Sequence, residues 1–243
     1  MKRVLLTTSL IFAFNHEVHA DRRSFTETYE YSTVPDGKTA VELWHTQARR
    51  NWDATTPQSF EQIVELEHGL TDKWDLAFYS VFSQVSGDAM TAEPYHFSEF
   101  KLETRYKLAD RGEWPIDTLL YLELAKEFGD SVYDVEGKVI GSRDFGKVTA
   151  AANAIAEIKF GKDVAETELE LAWAAGLTYR VHPKLWIGAE TFGAYEEEEL
   201  SLAAGPAISW APAPSFWLAV TGAFGLSDEA DAFRARMILG IEL

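Results

Sequence analysis

Phe97-Ser-Glu-Phe-Lys-Leu-Glu-Thr-Arg-Tyr-Lys-Leu108 reads as one amphipathic strand. From Glu99 every second residue is charged (Glu99, Lys101, Glu103, Arg105, Lys107), while Phe100, Leu102, Thr104, Tyr106 and Leu108 are apolar or neutral. A period of two puts these sets on opposite faces of a strand. A soluble sandwich would give the ionic face to water. A membrane barrel does the reverse, with lipid outside and a wet lumen inside. One strand looks the same in both, so the rest of the chain decides.

The chain of 243 residues opens with Lys2-Arg3, an apolar run from Val4 to Phe14, and Val18-His19-Ala20. This is the pattern of a secretory signal peptide over residues 1–20, and its apolar run is too short to span a bilayer as a helix. Without that segment 20 basic and 38 acidic residues remain, a net charge of −18. So acidic a chain is a poor nucleic-acid binder, because phosphate contacts require an excess of Lys and Arg. There is no cysteine, hence no disulfide and no lipid-anchoring thiol. If the protein lies in a membrane it must do so as a closed barrel, since an open sheet edge in lipid leaves backbone groups unpaired.

Residues 21–38 hold a short alternating piece, Phe25 to Tyr31, and the tight turn Pro35-Asp-Gly-Lys38; they are expected to form a tail, a partial strand or a plug. Residues 39–243 form the barrel domain. The alternation repeats through it, with Phe60, Val64 and Leu66 opposite Glu61, Glu65 and Glu67, and Ile116, Leu120, Leu122 and Leu124 opposite Asp117, Tyr121, Glu123 and Glu127. It continues with Leu169, Leu171, Trp173, Leu177 and Tyr179 opposite Glu168, Glu170 and Arg180, and ends with Phe233 to Leu243 opposite Arg234 and Arg236. The facing of Thr39 to Gln47 is undecided. The count is about 12 strands of about 9 to 13 residues, a length that suits barrel spans of about 9 to 11 better than globular strands of about 5 or 6.

Turns near 71–74, 109–115, 144–147, 181–184 and 211–215 fall at one end of such a barrel. Trp74, Trp114, Trp186, Trp210 and Trp217 sit in or beside them, as does Phe145, and an aromatic belt at one height is what a membrane interface selects. The same placement would also cap a soluble barrel. Facing is decided by cost, because Lys or Arg on the lipid side loses about 2 to 4 kcal/mol at the midplane, against a typical stability of about 5 to 15 kcal/mol. Lys101 and Arg105 are therefore expected to point inward. The fold expected is an all-β, closed antiparallel transmembrane β-barrel of about 12 strands with short loops.

Val34-Pro-Asp-Gly-Lys38, Gly69-Leu-Thr-Asp-Lys-Trp-Asp75 and Ser142-Arg-Asp-Phe-Gly-Lys147 carry a resemblance to bacterial outer-membrane β-barrel proteins, within them the transporter-like group related to the meta-pathway phenol-degradation barrels. The terminal strand also resembles the signal read by the barrel-assembly machinery, although that signal usually ends in Phe or Trp and this chain ends in Leu243. The resemblance implies the outer membrane of a Gram-negative bacterium, contact with outer-membrane lipid and passage of small solutes. It brings no catalytic residue and no cofactor.

Candidate lumen-lining residues are Glu61, Glu65, Glu67, Glu99, Lys101, Glu103, Arg105, Lys107, Asp117, Glu123, Glu168, Glu170, Arg234 and Arg236. They could line a water-filled path and set ion preference. Equally, they could lace the interior with ion pairs and block it, leaving a non-conducting structural barrel, since about 12 strands lie between the filled and the open cases. Glu196 to Glu199 lacks the spacing of a metal loop and reads as a solvated acidic rim. His45, His68, His96 and His182 raise the possibility of a lipid-modifying enzyme, but no Gly-x-Ser-x-Gly occurs and no His and Ser are suggestively spaced. The chain reads as a passive or weakly selective channel and not as an enzyme, with no metal site.

Overall fold

The computed structural model of the protein describes residues 22–53, 56–87, 91–164, 167–196 and 199–243, so the signal-peptide reading of residues 1–20 and the centre of the acidic loop lie outside the described residues. Twelve antiparallel strands follow one another: β1 (Thr39–Arg49), β2 (Gln58–Thr71), β3 (Trp74–Ser86), β4 (Glu93–Lys107), β5 (Asp117–Glu127) and β6 (Val132–Phe145), then β7 (Val148–Gly161), β8 (Glu168–His182), β9 (Leu185–Glu196), β10 (Glu199–Ala213), β11 (Phe216–Gly225) and β12 (Phe233–Glu242). Each pairs with its sequence neighbours. β1 also pairs with β12, from Ala40 opposite Glu242 to Arg49 opposite Phe233, which closes the barrel and leaves no edge.

Every strand contributes to an apolar outer face: Leu43, Leu66, Phe78, Leu102, Leu122, Val139, Ile158, Leu171, Ile187, Ile208, Val220 and Met237 are all exposed there. The alternate positions point inward and are buried, as with Glu42, Glu65, Asp75, Glu103 and Tyr121. Water would oppose such an arrangement and lipid favours it. Exposed aromatics mark both rims. Trp74, Tyr106, Trp114, Phe145, Tyr179 and Trp210 stand at the end of the short turns, and Trp52, Tyr95, Phe128, Tyr133, Phe160, Tyr195 and Phe224 at the other end. On β4, Tyr95 and Tyr106 are separated by a rise of about 36 Å along the strand, or about 25 Å of membrane thickness at a tilt of about 45°.

Two of the five tryptophans expected in the belt do not belong to it. Trp186 and Trp217 are buried, because they occupy the inward parity of β9 and β11, while Trp74, Trp114 and Trp210 are exposed. Trp217 lies flat against Gly240 on the next strand, where a Cβ would come within 2.2 Å of the indole. Closeness to a turn sets the height of a tryptophan. Parity sets its side.

The outward assignment has a direct consequence. Leu122→Arg should cost about 2 to 4 kcal/mol in lipid vesicles, measured by urea titration, because Leu122 stands mid-strand on the outer face. A neutral result would mean that water surrounds the barrel.

Candidate functional site

Residues 22–34 precede β1 and take no regular secondary structure, yet most of them are buried. Their partners lie on strands all round the barrel: Glu42 on β1, Asp75 on β3, Asn153 on β7, Glu190 on β9, Ser209 on β10 and Arg234 and Arg236 on β12. A segment that touches every side of a closed barrel lies in its lumen. It rises from the turn end at Val34, reaches an apex at Glu27 and returns towards Arg22, whose guanidinium stacks 3.5 Å above the Trp186 ring.

The apex is held mainly by one carboxylate. The backbone N–H groups of Thr26, Glu27 and Thr28 and the hydroxyls of both threonines donate to Glu190 at 2.9 to 3.1 Å. Thr221 donates to it as well. Three successive N–H groups form a concave nest that suits an anion. Asn153 then reads the backbone of Tyr29 as a strand neighbour would, accepting from its N–H at 2.7 Å and donating to its carbonyl at 2.9 Å. Phe25 is fully buried against Gly176, where a Cβ would meet the ring at 2.4 Å. Glu27 bridges Arg234 at 2.9 Å and Arg236 at 2.7 Å.

The segment divides the lumen. On the loop side is a cavity of about 400 Å³ whose lining includes nine acidic residues, among them Glu27, Glu61, Glu99, Glu157 and Glu170, against the four cations Lys101, Lys138, Arg234 and Arg236. On the turn side a vestibule carries Arg22, Lys107, Arg111, Lys147 and Arg180 against Glu30, Asp72 and Asp144. The two compartments differ in sign.

The charged residues picked out in the sequence occupy inward positions, except Glu168, whose side chain lies outside the described residues. Arg105 joins Glu67 at 2.6 Å, Asp75 at 2.8 Å and Glu103 at 3.1 Å. Lys101 joins Glu99 at 3.4 Å and Glu123 at 3.1 Å, and Arg236 reaches Glu61 at 3.4 Å. Glu65 faces Arg23 at 3.8 Å. Asp117 is buried near Arg143 at 3.6 Å, Lys107 donates to the Asp72 carbonyl at 3.3 Å, and Glu170 lines the cavity. Sequence reasoning missed Glu42, Trp44, Asp75, Asn153 and Glu190, and with them every side chain of the lumen segment. Glu42 and Trp44 share the inward row of β1, but an indole beside a carboxylate blurs the alternation. Among the described residues the four histidines do not converge. His45 tilts against Phe60, His68 meets Thr39, His96 meets the Pro94 carbonyl and His182 accepts from the Lys184 N–H.

The family of unknown function DUF6662 matches residues 118–237 of the chain, which run from β5 to the first half of β12. No curated protein sequence matches it. Among solved structures the barrel is similar to the KdgM porin in complex with disordered oligogalacturonate, at 8% identity and a TM-score of 0.57 over 84% of this chain and 97% of that one. It is also similar to the NanC porin, at 7% identity and a TM-score of 0.55 over 84% of this chain and 98% of that one. These likenesses bear on the fold alone, a closed antiparallel β-barrel.

Two outcomes are expected of the lumen segment. Glu190→Ala removes the acceptor shared by three backbone N–H groups and should weaken docking by about 3 kcal/mol, so that amide exchange at Thr26 to Thr28 becomes about a hundredfold faster. The pH dependence follows from two acids acting in opposite senses. Burial alone would raise Glu27, but Arg234 and Arg236 outweigh it and hold the carboxyl below the ordinary glutamate range. Burial, only partly offset by Arg22 and the Ser24 N–H, pushes Glu30 up. A lowered carboxyl contributes fully above the ordinary range and loses that contribution as pH falls through its lowered value, whereas a raised one disfavours docking until it is protonated. Amide protection of the apex, corrected for intrinsic exchange, should therefore rise slightly from neutral to mildly acidic pH and collapse only below the ordinary glutamate range. Steady weakening from neutral pH downward would contradict this.

Proposed function

We propose that the protein is an outer-membrane channel for small cationic solutes, held closed in this conformation by residues 22–34. The observation that carries the reading is the surplus of carboxylates over cations around the loop-side cavity. Charged side chains lining a narrow wet path raise the local concentration of the opposite sign and exclude the same sign. The KdgM structure holds oligogalacturonate, a polyanion. The acidic lining found here would repel such a ligand, so the shared barrel does not imply a shared solute. The resemblance of the turn motifs to those of the transporter-like barrels of the phenol-degradation group supports a transport role over a catalytic one. They say nothing of solute charge, which is read here from the lumen.

The number of bonds to the lumen segment supports a second reading, a permanently filled structural barrel. Gly176→Leu separates the two, because the new side chain takes the space of the Phe25 ring. In planar bilayers the wild-type protein should conduct rarely and the variant often, with a reversal potential in a potassium chloride gradient that favours the cation. A preference for chloride would overturn the assigned selectivity. A silent variant, with its barrel folded and its segment shown by amide exchange to be released, would establish the structural barrel.

A further inference from the structure

The inward rows of β1 to β4 bring five buried carboxylates together. Glu42, Glu65, Glu67, Asp75 and Glu103 are all no more than 1% exposed. Among the described strand residues Arg105 is the cation that reaches into this group, and it pairs with Glu67, Asp75 and Glu103. The side of the group next to Glu42 and Glu65 is met instead by Arg23, which belongs to the lumen segment and not to the wall.

The manner of that meeting is specific. The Arg23 Nε–H points between both oxygens of Glu42, at 3.1 and 3.3 Å. Its Nη2 faces Glu65 at 3.8 Å and Glu67 at 3.9 Å. The flat group lies between the rings of Tyr29 and Trp44, with its carbon 4.3 and 4.7 Å from their centroids. Trp44 is itself fixed, since its indole N–H donates to Glu42 at 3.0 Å. One carboxylate oxygen from each of Glu42, Glu65 and Glu67 lies within 4.8 Å of the other two. Neither oxygen of Glu65 accepts a hydrogen bond, although the residue is fully buried and turned towards this point.

We propose that Glu42, Glu65, Glu67 and the Trp44 face form a binding site for a guanidinium-bearing solute, and that Arg23 occupies it as a tethered stand-in for that solute. A carboxylate hydrogen-bonded at the edge of the group, two more within 4 Å of it and a ring over its face suit a planar, delocalised cation. An ammonium group is a point charge that gains little from the stack, and a bare metal ion finds no ligand atom on an indole. The site deepens the channel reading by naming the solute class. It rests on that reading for access from solution, while its chemistry rests on the wall alone.

The test uses the full chain with Arg23→Ala, folded in detergent micelles, and follows the temperature at which heat opens the barrel. The variant should open at a lower temperature than wild type. Ethylguanidinium should restore most of the difference, acting at concentrations roughly tenfold lower than ethylammonium, the gap expected when a ring contact is added to charge pairing. Wild type, its site already filled, should show no such rise, and Arg23→Ala combined with Glu65→Gln should lose the rescue. Equal effects of ethylguanidinium, ethylammonium and calcium would reduce the result to charge screening and overturn the site, as would an equal effect on wild type or no rescue at all. If Arg23→Ala does not fold unaided, the refolded yield in each cation becomes the readout, and equal yields overturn the proposal. No measurement here uses current, so a silent barrel in the bilayer experiment leaves this outcome standing, and failure here leaves conductance untouched.

Discussion

A carboxylate removed from water must be met by a cation or by hydrogen-bond donors, or it will not remain both buried and charged. The inward rows of β1 to β4 set this condition at Glu42, Glu65, Glu67, Asp75 and Glu103, and Arg105 of β4 meets it at Glu67, Asp75 and Glu103. The lumen segment completes the arrangement. Its Arg23 answers Glu42, its Val34 N–H donates to Asp75 at 2.9 Å, and its apex N–H groups answer Glu190 across the barrel. The seating of residues 22–34 in the lumen thus follows from how the wall is charged. A barrel with an apolar interior would have offered such a polar segment nothing to bind.

The same contacts bear on how the segment could leave. Most of its anchors are side chains of the wall that remain charged or polar after it departs, so water and mobile cations entering the lumen would replace what the segment had supplied. Bonds exchanged for solvent in this way are worth about 1 kcal/mol each, far less than their strength in a dry interior. Phe25 against Gly176 and Tyr29 edge-on to Tyr121 at 5.2 Å are held differently, because water does not replace an aromatic contact. The segment is therefore held in two ways, by a polar network that solvent can take over and by apolar contacts that it cannot.

Strand number and, beyond β1, facing were legible in the sequence because the alternation has a period of two and because lipid penalises a misplaced charge heavily, whereas β2, β4, β6, β7, β8 and β10 run to 14 or 15 residues, longer than the expected span. Phe97 to Leu108 shows both effects at once. What escaped depends on curvature. The ties that Arg105 makes to Glu67 and Asp75 cross strands, and a strand read alone gives no register with its neighbours. Phe25 to Tyr31 alternates like a strand, yet Thr26 and Thr28 serve a single glutamate 162 to 164 residues away, an interaction that no local pattern announces. Trp186 and Trp217 misled because an indole suits a membrane interface and a lumen gap equally well. The small Gly240 across from Trp217 was the clue, and it becomes readable only once the pairing of β11 with β12 is known.

Because faces alternate, a barrel of this kind can change its solute without changing its membrane. Each inward substitution leaves the outward row untouched, so lumen charge is free to diverge between proteins whose outer walls answer to the same lipid. The barrel trace is shared with KdgM and NanC at 7 to 8% identity. At that distance the features kept are those that lipid and closure impose. The sign of the lumen does not follow from the fold and is read here from this chain's own side chains. Here the loop-side cavity is acidic and the turn-side vestibule basic, with the segment at the boundary. On the proposed reading, a cation entering from the loop side would move down an attractive potential towards that boundary, close to the carboxylates that Arg23 meets. Passage would then require exchange at the proposed site, which would tie opening to the chemistry of what is carried instead of to its size alone.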